Sequence, residues 1–217
     1  MNKKISEYLS LLPEDEREFA AFKTRELSKL WLGKVVETCE EAREEMTTEY
    51  GVDRLVRALN CSKNIATHDS CGGHVYHKRN TAFCTGRSRF ADRHCASRGY
   101  VKGYVRCVDG FDEEFSRFLR EATRDLKHIE YTPPRCRKRW TEAFFEIKAR
   151  YLPGERKRRN ALDFAKDMWT EFDVLAQRVE TWVKEKGLVD ECFCSKPVSR
   201  LRELIERAER ELKGLRG

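Results

Sequence analysis

The sequence lacks several features, and each absence excludes a class of protein. No apolar run approaches the roughly 20 residues that an α-helix needs to cross a bilayer, so no membrane span is expected. The start, Met1-Asn2-Lys3-Lys4, is not followed by the apolar stretch of a signal peptide, and a cytoplasmic protein is the expectation. There is no Gly-Lys-Ser/Thr phosphate loop and no dinucleotide glycine fingerprint. Paired carboxylates suited to hydrolysis do not stand out, and no internal repeat is visible. Acids are nearly absent from one segment. Residues 78–106 hold eight Lys/Arg (78, 79, 87, 89, 93, 98, 102, 106) and a single acid, Asp92, which alone matches the formal net charge of +7 for the whole chain.

What is present fits a folded chain. At 217 residues the protein is one α/β domain (1–153), with N-terminal helices and a basic Cys/His-rich loop, followed by a helical extension (154–217). Apolar residues are 40% and aromatics 11%, enough for a core without staples. The 37% charged fraction suits a thermophile surface of ion-pair networks, or equally a set of long solvated helices. Nine cysteines in a cytosolic protein favour thiols or a metal site over disulfides, hyperthermophiles being the exception.

The periodicity gives a small mixed or antiparallel sheet with flanking helices. Residues 14–46 read as helix, opened by Pro13 and the acids Glu14, Asp15 and Glu16. A short helix follows at 52–59, with Val52, Leu55, Val56 and Leu59 on one face. Ile65 and Thr67 suggest a strand, residues 70–74 a glycine turn, and 74–78 its return strand. Residues 79–97 read as a loop. Tyr100, Lys102, Tyr104 and Arg106 alternate with Val101, Val105 and Cys107, the clearest strand. Phe111 to Leu126 reads as an amphipathic helix and 128–132 as a strand. Residues 140–151 fit strand or helix, and strand is preferred because the sheet needs partners. One long helix is expected over 155–186, with Ala161, Ala165, Met168, Phe172, Leu175, Val179 and Trp182 on its apolar stripe. A last helix spans 198–215. These two make an antiparallel pair that folds back on the domain or forms a homodimer.

Candidate chemistry concentrates in residues 61–108, with four of the five histidines and five of the nine cysteines. Cys71-x-x-His74 has zinc-ligand spacing, and Cys84 and Cys95 are candidates to complete the set. Buried thiols or a disulfide such as Cys84–Cys95 are the alternatives. Cys71 and His74 could also pair as nucleophile and base, without an evident third member. Cys192-x-Cys194 fits neither redox nor zinc spacing and reads as incidental. Arg87, Arg89, Arg93, Arg98, Lys102 and Arg106, interleaved with Phe83, Phe90, Tyr100 and Tyr104, combine cations for phosphates with rings for unpaired bases, which points to RNA.

The helix ending at Asn60, followed by Thr67-His68-Asp69-Ser70-Cys71-Gly72-Gly73-His74, resembles the third enzyme of the tRNA wybutosine pathway and a related group whose motif ends Ser-Cys-x-Gly-His. That family is an S-adenosylmethionine-dependent tRNA methyltransferase, and the resemblance covers about residues 52–150. It implies a site lined by Thr67, Ser70, Cys71 and Gly73 for the cofactor, with tRNA as partner; Ser70 is a catalytic candidate there, and His74 or Asp69 are this chain's own candidates to take a proton from the acceptor. Departures from the enzyme pattern fall at His74, where it has Arg, at Asp69, where it has Ser, and in the basic loop 79–97. The other readings are a zinc-containing nucleic-acid-binding protein and a scaffold assembled through the C-terminal helices.

Overall fold

A computed structural model describes residues 3–30, 35–45, 50–76, 89–134, 141–195 and 199–214. The architecture is α/β with an antiparallel four-stranded sheet, as the periodicity indicates. Three helices come first: α1 (Ile5–Leu11), not anticipated from the periodicity, then α2 (Glu14–Leu30) and α3 (Cys39–Glu45). The helix expected over 14–46, with Gly33 marking a kink or break, is interrupted, and residues 35–37 are not helical. Next come α4 (Asp53–Asn60), β1 (Ile65–Cys71), β2 (Val75–Tyr76), β3 (Cys95–Ala96), β4 (Tyr100–Arg106) and α5 (Phe111–Ala122). The chain continues through β5 (Ile129–Thr132), β6 (Glu142–Ala149), α6 (Glu155–Arg158), α7 (Ala161–Glu185) and α8 (Leu201–Gly214). No helix among the described residues is long and apolar enough to cross a membrane.

The sheet runs β1-β4-β6-β5, with β4 and β6 central. Side chains alternate between faces along each strand. Val101 and Val105 of β4, and Ala143, Phe145, Ile147 and Ala149 of β6, are buried on the inner face. There Phe115 of α5 packs edge-on against Phe145, at 5.2 Å between ring centres. The opposite phase, Tyr100, Lys102 and Tyr104 on β4 with Phe144 and Lys148 on β6, lies on the outer face and is partly or fully exposed. Helix α2 covers the β1 side of that face and reaches β4, where Phe22 packs edge-on against Tyr104.

The turn after β1 does not fold into a hairpin. β1 pairs with β4, while β2 pairs with β3 in a separate two-stranded sheet. The turn instead packs closely on Tyr50, ahead of α4, and on α7. A Cβ on Gly72 would stand 1.6 Å from the Tyr50 carbonyl oxygen, and one on Gly73 would stand 2.6 Å from the Met168 methyl. Trp169 Nε1 donates to Gly72 O at 2.7 Å. Gly72 thus lets the turn lie against Tyr50, and Gly73 lets it lie against Met168, where a side chain would hold it off.

The helix expected over 155–186 is two helices. Arg159 and Asn160 are extended, and Asp92 Oδ2 accepts the Ala161 N–H at 3.3 Å, capping α7 from 69 residues away. Residues 154–217 supply the centre of the common core, since Phe164, Met168, Phe172, Leu175 and Val179 are fully buried in the same cluster as the sheet. Helix α8 folds back along α7, with Lys166 bonded to Glu209.

The cysteines overturn the thiol expectation. Cys39–Cys192 and Cys61–Cys194 are disulfides, and Cys95 and Cys107 are disulfide-bonded as well. Cys192-x-Cys194 is therefore a double anchor rather than incidental. It ties the segment after α7 to α3 and to the end of α4. Beneath it lies Lys23, fully buried, donating to the carbonyls of Asn60 and Ser62, 3.7 Å from Asp190 and over the Phe193 ring at 4.4 Å. Burial pushes the Lys23 ammonium down to about 8. Tyr8 donates to Asp190 at 2.7 Å, and its hydroxyl is raised above the ordinary phenol range by burial and that carboxylate.

Candidate nucleic-acid interface

The residues singled out by the glycine turn do not converge on one site. Thr67 is buried, and its side chain and N–H both bond the Asn60 amide, at 2.6 and 3.0 Å. Ser70 stands opposite Val101 and Cys71 opposite Tyr100, both half-buried. Asp69 is on the outer face, 3.8 Å from Lys102. The backbone N–H of His74 donates to Ser97 Oγ at 2.8 Å, and the residue itself is exposed. A cavity of about 290 Å³ lies beyond the turn, lined by Tyr50, Gly73, His74, Tyr76, Trp169 and Arg207 among others. Of the residues offered for S-adenosylmethionine only Gly73 reaches it. They do not fit the cofactor as a set, and no methyl-transfer step follows from their positions.

The zinc set is also altered. Cys95 is disulfide-bonded, so its sulfur is not a thiolate ligand. Cys84 lies outside the described residues. Among those described, no group of three or more His, Cys, Asp or Glu is arranged to hold a metal.

The basic and aromatic residues separate into two neighbouring groups. On the outer face of the sheet, Tyr104 and Phe144 are cross-strand partners on the two central strands, with ring centres 5.7 Å apart and edge-to-face. Phe144 is 45% exposed, unusual for a ring of that size. Lys102 lies over the Tyr100 ring at 4.5 Å. Its contacts with Asp69 and Glu146 are long, 3.8 and 4.0 Å. Lys148 sits on the same face between Glu130 and Glu146.

The second group lies where β4 begins. Arg98 stacks on Tyr151 at 5.6 Å, and Tyr151 Oη donates to Ala96 O at 2.6 Å. Arg89 and Arg93 belong to the neighbouring hairpin closed by the Arg89–Cys95 bridge. Arg89, Arg93 and Arg98 make no ion pair among the described residues. Arg106 departs from expectation: it is buried and bonds Asp15 at 2.9 Å, joining β4 to α2. Arg87 lies outside the described residues.

Two features escaped the sequence reading. Phe144 carried a signal, since it falls on the opposite phase to Phe145, Ile147 and Ala149. His128 carried none. It is the one histidine outside the central stretch, and its side chain is 3% exposed. Nδ1 bonds Glu171 at 2.9 Å and Nε2 bonds Glu155 at 2.8 Å. The Glu171 bond outweighs burial and, with Glu155, holds the imidazolium above its ordinary pKa. Closed to solvent, the cluster braces β5 to α6 and α7.

Compared with protein-family models, curated proteins and solved structures, the chain matches none.

Proposed function

We propose that the protein binds single-stranded RNA on the open face of its sheet. The observation that carries this reading is the Tyr104–Phe144 pair on the two central strands, with Tyr100 and Lys102 beside it. Every base has a π-face, so an aromatic platform accepts bases without reading sequence, each stack contributing about 1–3 kcal/mol. Backbone phosphates then meet Lys102 on the platform and Arg98, Arg89 and Arg93 at its end. The acids near Lys102 do not block this, because exposed ion pairs of that length are weak and a phosphate can compete for the lysine. The platform supplies the binding surface. The choice of RNA rests on the resemblance to a tRNA-modifying family. The disulfides support an oxidising compartment, or the cytoplasm of a hyperthermophile, over an ordinary reducing cytosol.

Fluorescence anisotropy with a labelled single-stranded oligoribonucleotide tests the reading. Phe144→Ala removes an exposed ring and should leave the fold intact. It should weaken binding by about 1 kcal/mol or more, at least fivefold. Lys102→Ala should lower the slope of log affinity against log salt by about 0.7, the value for one phosphate contact on a single strand. Unchanged affinity in Phe144→Ala would remove the platform as the binding surface.

A further inference from the structure

The platform carries a second device at its covered edge. Strand β1 has an irregularity between Thr67 and Asp69, where Thr67 pairs with Gly103 and Asp69 already pairs with Lys102. His68 is the extra residue. Bulges of this kind re-aim a side chain and recur beside active sites. Here the imidazole meets α2, and Nδ1 lies 2.6 Å from Glu26 Oε2. Glu26 is 4% exposed at its side chain, whereas that of His68 is 39% exposed. A carboxylate only accepts, so Nδ1 carries the hydrogen of the neutral ring and Nε2 carries the lone pair. The ring also packs on Tyr104 at 5.6 Å, one residue of the stacking pair. A buried carboxylate therefore orients a histidine whose basic nitrogen lies at the edge of the base-stacking surface, the arrangement of a general base with its positioning group.

We propose that His68 is a general base that cleaves single-stranded RNA lying on this face, with Glu26 as its positioning residue. The proposal rests on the RNA reading above. In the step, His68 Nε2 takes the proton of a ribose 2′-hydroxyl. The O2′ oxygen forms a bond to the adjacent phosphorus and the P–O5′ bond breaks. The leaving O5′ takes a proton from solvent water, and the imidazolium returns its proton to the hydroxide so formed. The products are a 2′,3′-cyclic phosphate and a 5′-hydroxyl end, with no oxidant or cofactor consumed. Lys102, cross-strand partner of Asp69, the residue after His68, supplies a cation to neutralise the phosphate. Among the described residues, the imidazole meets Glu26 from α2 and Tyr104 from β4, with Asp69 next to it on its own strand and Lys102 across from Asp69.

The probe is a fluorescent single-stranded RNA of about 12 nucleotides, within the span of such binding sites, alongside the same sequence in DNA. Binding is followed by anisotropy, and cleavage by electrophoresis with chemical identification of the cyclic phosphate. The full-length protein should bind both strands and cleave only RNA. His68→Ala and His68→Gln, prepared identically and checked for folding by circular dichroism, should keep RNA affinity within about threefold and lose roughly 10²-fold or more of the cleavage rate. His68→Gln retains a side-chain amide that can bond Glu26, so a purely structural role predicts normal cleavage there. Glu26→Gln should shift the acidic limb of the pH–rate profile, and Glu26→Asp should restore part of the rate. RNA bound but left intact, or cleaved equally by both His68 variants, overturns the proposal and leaves the RNA reading standing. No RNA binding overturns that reading and the proposal with it.

Discussion

The two disulfides at residues 192 and 194 allow a stability effect to be worked out from the structure. Cys39–Cys192 spans 153 residues and Cys61–Cys194 spans 133, and the two loops interlock. With one bond in place the other no longer closes its whole loop. It closes the ring made by the chain from Cys39 to Cys61 and the short step from Cys192 to Cys194, about 24 residues, for which the chain-entropy relation gives about 3.4 kcal/mol. Neither Cys95 nor Cys107 falls in that ring, so their disulfides leave the figure unchanged. Breaking the second bond releases a far longer loop, even with the bonds of Cys95 and Cys107 inside it, and should cost more than the first. Cys61→Ala should therefore lose about 3–4 kcal/mol, and Cys39→Ala a similar amount. The Cys39→Ala/Cys61→Ala double variant should lose more than the sum of the two. Against a typical total of about 5–15 kcal/mol, the double variant stands at the edge of folding. Equilibrium unfolding in urea under non-reducing conditions, followed by tryptophan fluorescence, measures all three. Single variants within about 1 kcal/mol of wild type would refute the reasoning, as would a double variant whose loss is smaller than the sum.

Three further outcomes follow from buried groups. His128 has a folded pKa above its ordinary value of about 6.5, so its cluster stabilises fully below that pH and loses its contribution as pH rises through the folded pKa. Unfolding at pH 6 and pH 9 should show the His128→Gln deficit larger at pH 6. Lys23 has the opposite sign: its folded pKa of about 8 lies below 10.5, so the folded state sheds its proton first and stability from this group rises with pH above 8. Between pH 8 and 9.5 that rise should reach roughly 2 kcal/mol and be missing in Lys23→Met. Gly72→Ala places a methyl 1.6 Å from a backbone oxygen, which no rotamer relieves, and should cost roughly 3 kcal/mol or more in thermal unfolding. Gly110→Ala, at φ +74 with nothing within 4 Å, isolates left-handed backbone strain, which Gly72 does not carry.

Much of the fold was legible where a surface is half covered. Tyr100, Lys102 and Tyr104 alternate with Val101 and Val105 because one face of β4 meets the core and the other meets solvent. The apolar stripe from Ala161 to Trp182 was equally plain, since α7 buries one continuous side. Illegible features depend on partners far along the chain. The break at Asn160 needs Asp92, 69 residues away from Ala161. The partners of Cys192 and Cys194 lie more than 130 residues away, and spacing alone does not encode connectivity. The glycine turn was found, but its packing against Met168 and Trp169 was not. For the candidate interface, Lys102 and Tyr104 were identified from composition and phase. Phe144 is readable from its phase, opposite to Phe145, Ile147 and Ala149. His68 looked like one histidine among four because Glu26 is 42 residues distant.

The most direct test of the central claim is photo-crosslinking of a uridine-rich single-stranded RNA, with the modified peptides located by mass spectrometry. The account predicts crosslinks on β4 and β6, at Tyr100, Tyr104 or Phe144, lost when excess unlabelled RNA competes. Crosslinks confined to other elements, such as the cavity between the glycine turn and α8, would contradict it.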